Sequence, residues 1–503
     1  MPESCRGNFI ANTWTIPDSP DRVATRENPA DNDQTVFEFP WAESAVDRAV
    51  VSAKDAQPDW DRRGLAGRMD CIERFRAELE ERRDDLARAI SLEMGKPLWE
   101  AKGEAGALVK KIDVMSDEGL DHTAPVSPDG VDGGWRYRPL GVAAVLGPYN
   151  FPLHLPNGQI IPALLTGNTV VVKPSEFTPL SMQLYFECLQ QAGFPDGVVN
   201  LVQGPGPVGA RLSSHRDVDA VLFTGSWRTG RIIREATLDQ PGKMVALEMG
   251  GKNTTIVCGD ANLDQAAAAI AESACLTTGQ RCSATSRVVV HEDVVDELTD
   301  RLVDLFERTT TGDPFDEDNE PLMGPLATRP GFRKFVNVQD DDEDGAVKPV
   351  LKGGADDERP GGYFVRPAIW RATDVDRHGA HQGTELFGPE IVIYSAADDQ
   401  EATRVANATD YGLAMSVFTA DEERFDQMSY DLKAGILNLN RSTVGASSRL
   451  PFGGVKKSGN FRPAAVLAGL FCTYPVASLR ADVAGPDHQP DGGVLSRLRD
   501  RDS

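Results

Sequence analysis

Cys282 ends the run Gly279-Gln280-Arg281-Cys282, between a segment that reads as a helix and the apolar strand starting near Ser286. A thiolate is a strong nucleophile, and a neighbouring cation such as Arg281 would lower the thiol pKa. The ordinary alternative is a small buried hydrophobe, the usual state of an intracellular cysteine. Glu248 lies in Leu247-Glu248-Met249-Gly250-Gly251, a carboxylate among apolar residues and glycines. Desolvation there would raise its pKa toward that of a useful general base, unless it simply caps a helix. Lys173-Pro174-Ser175-Glu176 closes a third apolar run. A lysine and a glutamate at the carboxyl edge of a parallel sheet stand where nucleotides bind, and Glu176 could accept from a ribose diol while repelling a 2′-phosphate. A plain surface ion pair is the competing reading. In Phe223-Thr224-Gly225-Ser226-Trp227-Arg228-Thr229-Gly230, a strand ends at Gly225 and a helix opens at Ser226, which would present free N–H groups to a pyrophosphate. The formal fingerprint Gly204-x-Gly206-x-x-Gly209 is read as a tight turn instead, because Pro205 and Pro207 remove two donors that a phosphate cradle would use.

The elements that must position these residues follow from periodicity. Residues 44–122 read mostly as helices, with apolar spacing of three and four over Ala45–Asp55 and Ala66–Met94 and Ser44 as an expected N-cap. From Gly141 the texture becomes strand, turn, helix. Val142–Leu146, Thr169–Lys173, Val198–Val202 and Ala220–Phe223 are expected strands, with helices at Leu180–Ala192 and Gly206–Ser213. The alternation resumes at Thr255–Cys258, Ser286–His291 and Ile391–Tyr394. A parallel α/β architecture with a second α/β unit after Glu248 is the expectation. The run Asp340 to Asp344 reads as a solvated loop, and the tail from Ala481 as disordered.

The chain has 503 residues, 40% apolar and 26% charged, which suits a soluble protein of two or three domains. No apolar run is long enough to span a membrane, and no signal peptide is evident, so a cytoplasmic location is expected. The formal charge of −25 argues against a nucleic-acid partner. With 14 Lys against 38 Arg and 77 acidic residues, the surface suits a cytosol of high salt. The seven cysteines and seven histidines show no metal-site spacing, so no metal is expected.

Taken in order, the four motifs around Lys173, Gly225, Glu248 and Cys282 and four others resemble the aldehyde dehydrogenase superfamily over roughly residues 8–478. The others are Pro148-Tyr149-Asn150-Phe151-Pro152, Glu385-Leu386-Phe387-Gly388-Pro389, Asn407 to Leu413 and Pro451-Phe452-Gly453-Gly454. The resemblance implies a Rossmann-type cofactor domain from 1–122 and 140–250, and an α/β catalytic domain over 251–450. It also implies oligomerisation strands at 123–139 and 466–480, and hence a homodimer or homotetramer. It implies that Cys282 attacks an aldehyde, that the Asn150 amide and the Cys282 N–H hold the oxyanion, and that hydride transfer to nicotinamide leaves a thioester. Glu248 would then activate water. Lys173 and Glu176 would hold the adenine ribose of NAD, Gly225, Ser226 and Gly230 its phosphates, and Glu385 and Phe387 its nicotinamide end. Three stretches, among them His154-Leu155-Pro156-Asn157-Gly158 and Ser458 to Pro463, are most similar to succinylglutamate semialdehyde dehydrogenases, with Lys252, Arg441 and Arg449 as departures. A carboxylated semialdehyde is expected, paired with Arg281, Arg441 or Arg449. Another semialdehyde or general aldehyde, a coenzyme A-dependent acylating reaction, and a non-catalytic protein on this fold stay open as alternatives.

Overall fold

The computed structural model describes residues 4–340 and 345–480. The expected disorder from Ala481 and most of the acidic run after Asp340 lie outside the described residues.

Two seven-stranded sheets dominate. The first runs Met244–Met249, Ala220–Gly225, Val142–Leu146, Thr169–Lys173, Val199–Leu201, all parallel. The N-terminal hairpin Asn8–Ile10 and Thr13–Thr15 then extends it antiparallel. Its central strands are fully buried Val, Ala and Leu runs because helices cover both faces. The chain enters at Val142–Leu146, moves outward through Thr169–Lys173, and returns to the other side at Ala220–Gly225. That reversal opens a crevice at the carboxyl ends of these neighbouring strands, where ligands of such sheets bind.

The second sheet runs Val347–Leu351, Ala368–Ala372, Glu390–Ala396, Thr285–His291, Asn253–Val257, Ala414–Phe418, Ile436–Leu439, parallel except at its first pair. Met244–Met249 ends the first sheet and, across Gly250-Gly251-Lys252, Asn253–Val257 begins within the second. The carboxyl edge of one sheet therefore faces the amino edge of the other.

Helices are as expected in place but not always in extent. Ala66–Met94 is broken at Arg82 (φ −97°, ψ 16°) into Gly64–Glu81 and Arg83–Met94. Ser44 precedes the helix Ala45–Arg62 but makes no side-chain cap, since it already has helical backbone angles. Arg22–Asn28 and Asp31–Trp41 form a separate hairpin that periodicity did not flag. The expected strands at 123–139 and 466–480 shrink to Gly133–Pro139 and Thr473–Leu479, paired antiparallel as a two-stranded ribbon. Residues 465–472 instead wind into a 3₁₀ helix that buries Val466, Ala468 and Phe471. No helix among the described residues is long and apolar enough to cross a membrane.

Candidate active site

A cavity of about 940 Å³ occupies the seam between the sheets. Lys173, Ser175, Glu176, Gly206, Gly209, Gly225 and Ser226 line one end, and Tyr149, Asn150, Glu248, Cys282, Glu385 and Phe387 line its middle.

Cys282 is delivered by a loop in an unusual conformation. Thr277, Thr278 and Gly279 all have left-handed backbone (φ 55°, 54° and 71°) and are buried. Non-glycine residues there are strained by about 1–2 kcal/mol each, so the surroundings must hold them. Glu100, on the helix Leu98–Asp117, does so: it accepts from the Thr277 N–H at 3.0 Å and the Thr277 hydroxyl, and pairs with Arg281 at 2.6 Å. Burial opposes the Glu100 charge, yet Lys96 and Arg281 keep its pKa below the ordinary glutamate range. On the other side, Gly279 touches the Gly388 backbone so closely that a β-carbon would lie 2.3 Å from its carbonyl carbon. The loop that carries Cys282 and the Glu385–Pro389 loop are thereby locked together. The Cys282 carbonyl accepts from Asn253 Nδ2 at 2.8 Å.

Arg281 does not serve the thiol as expected. Its guanidinium is engaged by Glu100 and Thr277 (Nε to the hydroxyl, 2.9 Å), and it stacks over Phe151. Burial, then the charges of Glu248 and Glu385, push the Cys282 thiol up to about 12. A thiol held this high would have to lose its proton before acting as a nucleophile.

Glu248 caps no helix. It is the fifth residue of Met244–Met249, buried, with Oε2 lacking a hydrogen-bond partner among the described residues. Burial drives its pKa well above the ordinary range, against the opposing pull of Lys111 and the Ala464 N–H. It is thus poised to take up a proton. Asn150 donates to the Gln280 carbonyl at 2.9 Å, and Gln280 is itself held by the Ala327 N–H at 3.0 Å. One N–H of the Asn150 amide is used by this bond, which fixes the direction of the other.

Glu385 accepts from the Gly251 N–H at 2.9 Å, and burial raises its pKa to about 7. A β-carbon on Gly250 would sit 2.0 Å from the Glu385 carboxylate, so only glycine admits it. Phe387, at φ 60°, meets Tyr149 edge-on at 6.0 Å. At the far end, Lys173 is buried and donates to Glu176 at 3.3 Å, within the cavity wall rather than on the outer surface. Ser226 caps the helix Trp227–Ala236 by accepting from the Thr229 N–H. Gly230 does not line the cavity; it is glycine because a β-carbon would meet Met249 Sδ at 2.5 Å. Gly206 and Gly209, read as a mere turn, do line it. Arg441 and Arg449 do not: both are exposed, and Arg449 pairs with Glu118 at 2.7 Å. Sequence reading passed over Lys111 and gave His154 only a place in a motif; both line the cavity, Lys111 near Glu248 and His154 near Phe151.

Compared with known proteins, residues 14–471 match the aldehyde dehydrogenase family. An N-succinylglutamate 5-semialdehyde dehydrogenase from Novosphingobium aromaticivorans is 40% identical over 443 residues, covering 87% of this chain and 92% of that protein. One from Chromohalobacter salexigens is 40% identical over 459 residues, covering 90% and 91%. Among solved structures, a mutant of aldehyde dehydrogenase C from Pseudomonas syringae, complexed with NAD+ and octanal, superposes with TM-score 0.89 at 30% identity, covering 96% of this chain and 99% of that one. Betaine aldehyde dehydrogenase from Staphylococcus aureus, complexed with NAD+, has TM-score 0.87 at 27% identity, covering 94% of each chain.

Proposed function

The chain belongs to the aldehyde dehydrogenase family, and from that premise we propose that it oxidises N-succinylglutamate 5-semialdehyde to the carboxylic acid through a thioester on Cys282, using NAD. The observation that carries the chemistry is the meeting of Cys282, Glu248 and Asn150 on one stretch of cavity wall. The substrate reading is supported by relatives of that name at 40% identity over most of the chain.

The residues at the far end fit a dinucleotide: a helix N-terminus with free N–H groups at Ser226–Trp227, a buried ammonium at Lys173, and a carboxylate at Glu176 suited to a ribose diol. Glu385 and Phe387 would hold the other ribose and ring. Bound NAD would supply a cationic ring that favours the thiolate and accepts hydrogen with its electron pair from the substrate carbon. Cys282 Sγ adds to the aldehyde carbon, its proton passing to solvent. The Asn150 amide and the Cys282 N–H donate to the oxygen as it gains charge. After oxidation, Glu248 takes a proton from water as it attacks the thioester, which releases the acid and regenerates the thiol. A hydrolytic base at Glu248 favours water over coenzyme A as the acyl acceptor.

We read the first sheet with its N-terminal helices as the cofactor unit (1–122 and 140–250), and 251–450 as the catalytic unit. The ribbon of Gly133–Pro139 and Thr473–Leu479 would pair with another copy, since its edge would otherwise be left open. The acidic, lysine-poor surface fits a cytosol of high salt. Initial rates of NADH and NADPH formation with succinylglutamate, succinate and glutamate semialdehydes test these readings, without coenzyme A and at low and high salt. Highest kcat/KM with succinylglutamate semialdehyde and NAD is expected. A strict need for coenzyme A, or preference for another aldehyde, would overturn the corresponding part.

A further inference from the structure

Among the described residues, four lysines and arginines line the cavity: Lys111, Lys173, Arg281 and Lys334. Three are bonded within the protein. Lys173 pairs with Glu176 at 3.3 Å and Arg281 with Glu100 at 2.6 Å, while the Lys334 ammonium donates to the Glu385 carbonyl. Lys111 has no hydrogen bond or ion pair among the described residues. It sits at the end away from Lys173, where a small adjoining pocket brings it together with Gly158, Ser448 and Ala465. A β-carbon on Gly158 would lie 2.4 Å from Lys111 Nζ, so the missing side chain there is what lets the ammonium turn inward. Burial lowers its pKa to about 8, with Glu248 pulling the other way.

His154 stands beside it, at the start of the helix His154–Leu165. That helix is anchored by Glu104, which accepts from the Leu153 and His154 N–H groups at 3.2 Å and binds Lys96 at 2.7 Å. Burial, with the charges of Lys111 and Lys96, keeps the imidazole neutral, and its Nδ1 is buried without a partner among the described residues. A half-buried cation and an unpaired ring nitrogen facing one space cost free energy unless a ligand satisfies them.

We propose that Lys111 binds a carboxylate on the tail of the aldehyde substrate, with His154 Nδ1–H as a second donor. This rests on the reading of a carboxylated semialdehyde, and it moves recognition from the loop arginines to the helix Leu98–Asp117. The aldehyde end then points to Cys282 while the tail carboxylate lies against Lys111, on the Glu248 side of the cavity.

Two variants test it: Lys111→Met, and Gly158→Ala, which pushes the ammonium aside while keeping its charge. Each is assayed at saturating NAD with N-succinylglutamate 5-semialdehyde, succinate semialdehyde and hexanal. Loss of a charge-assisted bond should raise KM for the carboxylated aldehyde by about tenfold to a hundredfold in Lys111→Met. The change with hexanal should be smaller by at least about tenfold. Gly158→Ala should show the same selectivity with a smaller effect, and it carries the test if Lys111→Met fails to fold. An equal fall in kcat for all three aldehydes would mean that Lys111 acts only through Glu248, and would overturn the proposal. So would an unchanged KM for the carboxylated aldehydes. A wild type that prefers succinate semialdehyde, with that preference lost in Lys111→Met, would sink the succinylglutamate reading and keep this one. No preference for any carboxylated aldehyde would sink both.

Discussion

At the end of the cavity beneath the first sheet, the charges are closed on themselves. Lys173 bonds Glu176, and Ser226 bonds the first turn of its helix. At the other end, Lys111 and His154 Nδ1 have no bonded partner among the described residues, and Glu248 carries an unpaired buried oxygen. The first end is assembled from strand ends and a helix N-terminus, features that suit any dinucleotide. The second is assembled from side chains on separate elements, and its hydrogen-bonding capacity is unmet among the described residues. On the proposed reading, cofactor recognition would rest on strand ends, a helix N-terminus and the Lys173–Glu176 pair, and substrate recognition on a few side chains that a ligand would have to satisfy.

The difference can be broken most severely at the point where both ends converge. Cys282→Ala should lower dehydrogenase turnover by at least about 10⁴-fold, while NAD binding, followed by fluorescence quenching, persists. Comparable loss in Cys275→Ala would move the nucleophile elsewhere. Glu248→Gln should slow turnover by about 10²–10⁴-fold, and stopped flow should reveal a burst of NADH before the slow steady state. A slow turnover without a burst would place Glu248 before the thioester rather than after it.

Glu100 tests the frame between the two ends. Glu100→Gln leaves the Arg281 guanidinium without its counterion, a loss of about 2–4 kcal/mol in unfolding stability. Because the Glu100 pKa is depressed in the folded state, its contribution is full above the ordinary glutamate range. It fades as pH falls through that range and below. The stability gap between wild type and variant, measured by urea unfolding, should therefore narrow below about pH 4. A gap independent of pH would show that Glu100 acts by packing alone. The smallest effect belongs to the cofactor end. Glu176→Gln should raise kcat/KM with NADP relative to NAD by up to about fivefold, because Glu176 is partly exposed and its repulsion is screened. An unmoved ratio would remove Glu176 from the ribose site.

The two ends also differed in how far they could be read beforehand. Lys173, Glu176, Ser226, Glu248 and Cys282 each stand in a short motif at an apolar strand or helix boundary, and periodicity locates such boundaries. Lys111 lies mid-helix next to Lys110, a pair that reads as a solvated face. Only the tertiary fit over Gly158 turns Lys111 inward while Lys110 stays exposed. Glu100 was likewise hidden: its partners Thr277 and Arg281 are far along the chain. Arg449 was misplaced for the opposite reason. A loop arginine looked available, but Glu118 claims it. The Asp31–Trp41 strand escaped notice because charged residues and Pro40 blur its alternation.

The proposed reaction turns on an acyl thioester on Cys282 made from a carboxylated semialdehyde. The most direct measurement mixes the Glu248→Gln variant with N-succinylglutamate 5-semialdehyde and NAD, quenches in acid within the burst, and maps the mass of every cysteine peptide. A succinylglutamyl adduct is expected on the peptide carrying Cys282, in amount equal to the NADH burst. An adduct on another cysteine, or NADH formed with no adduct on Cys282, would contradict it.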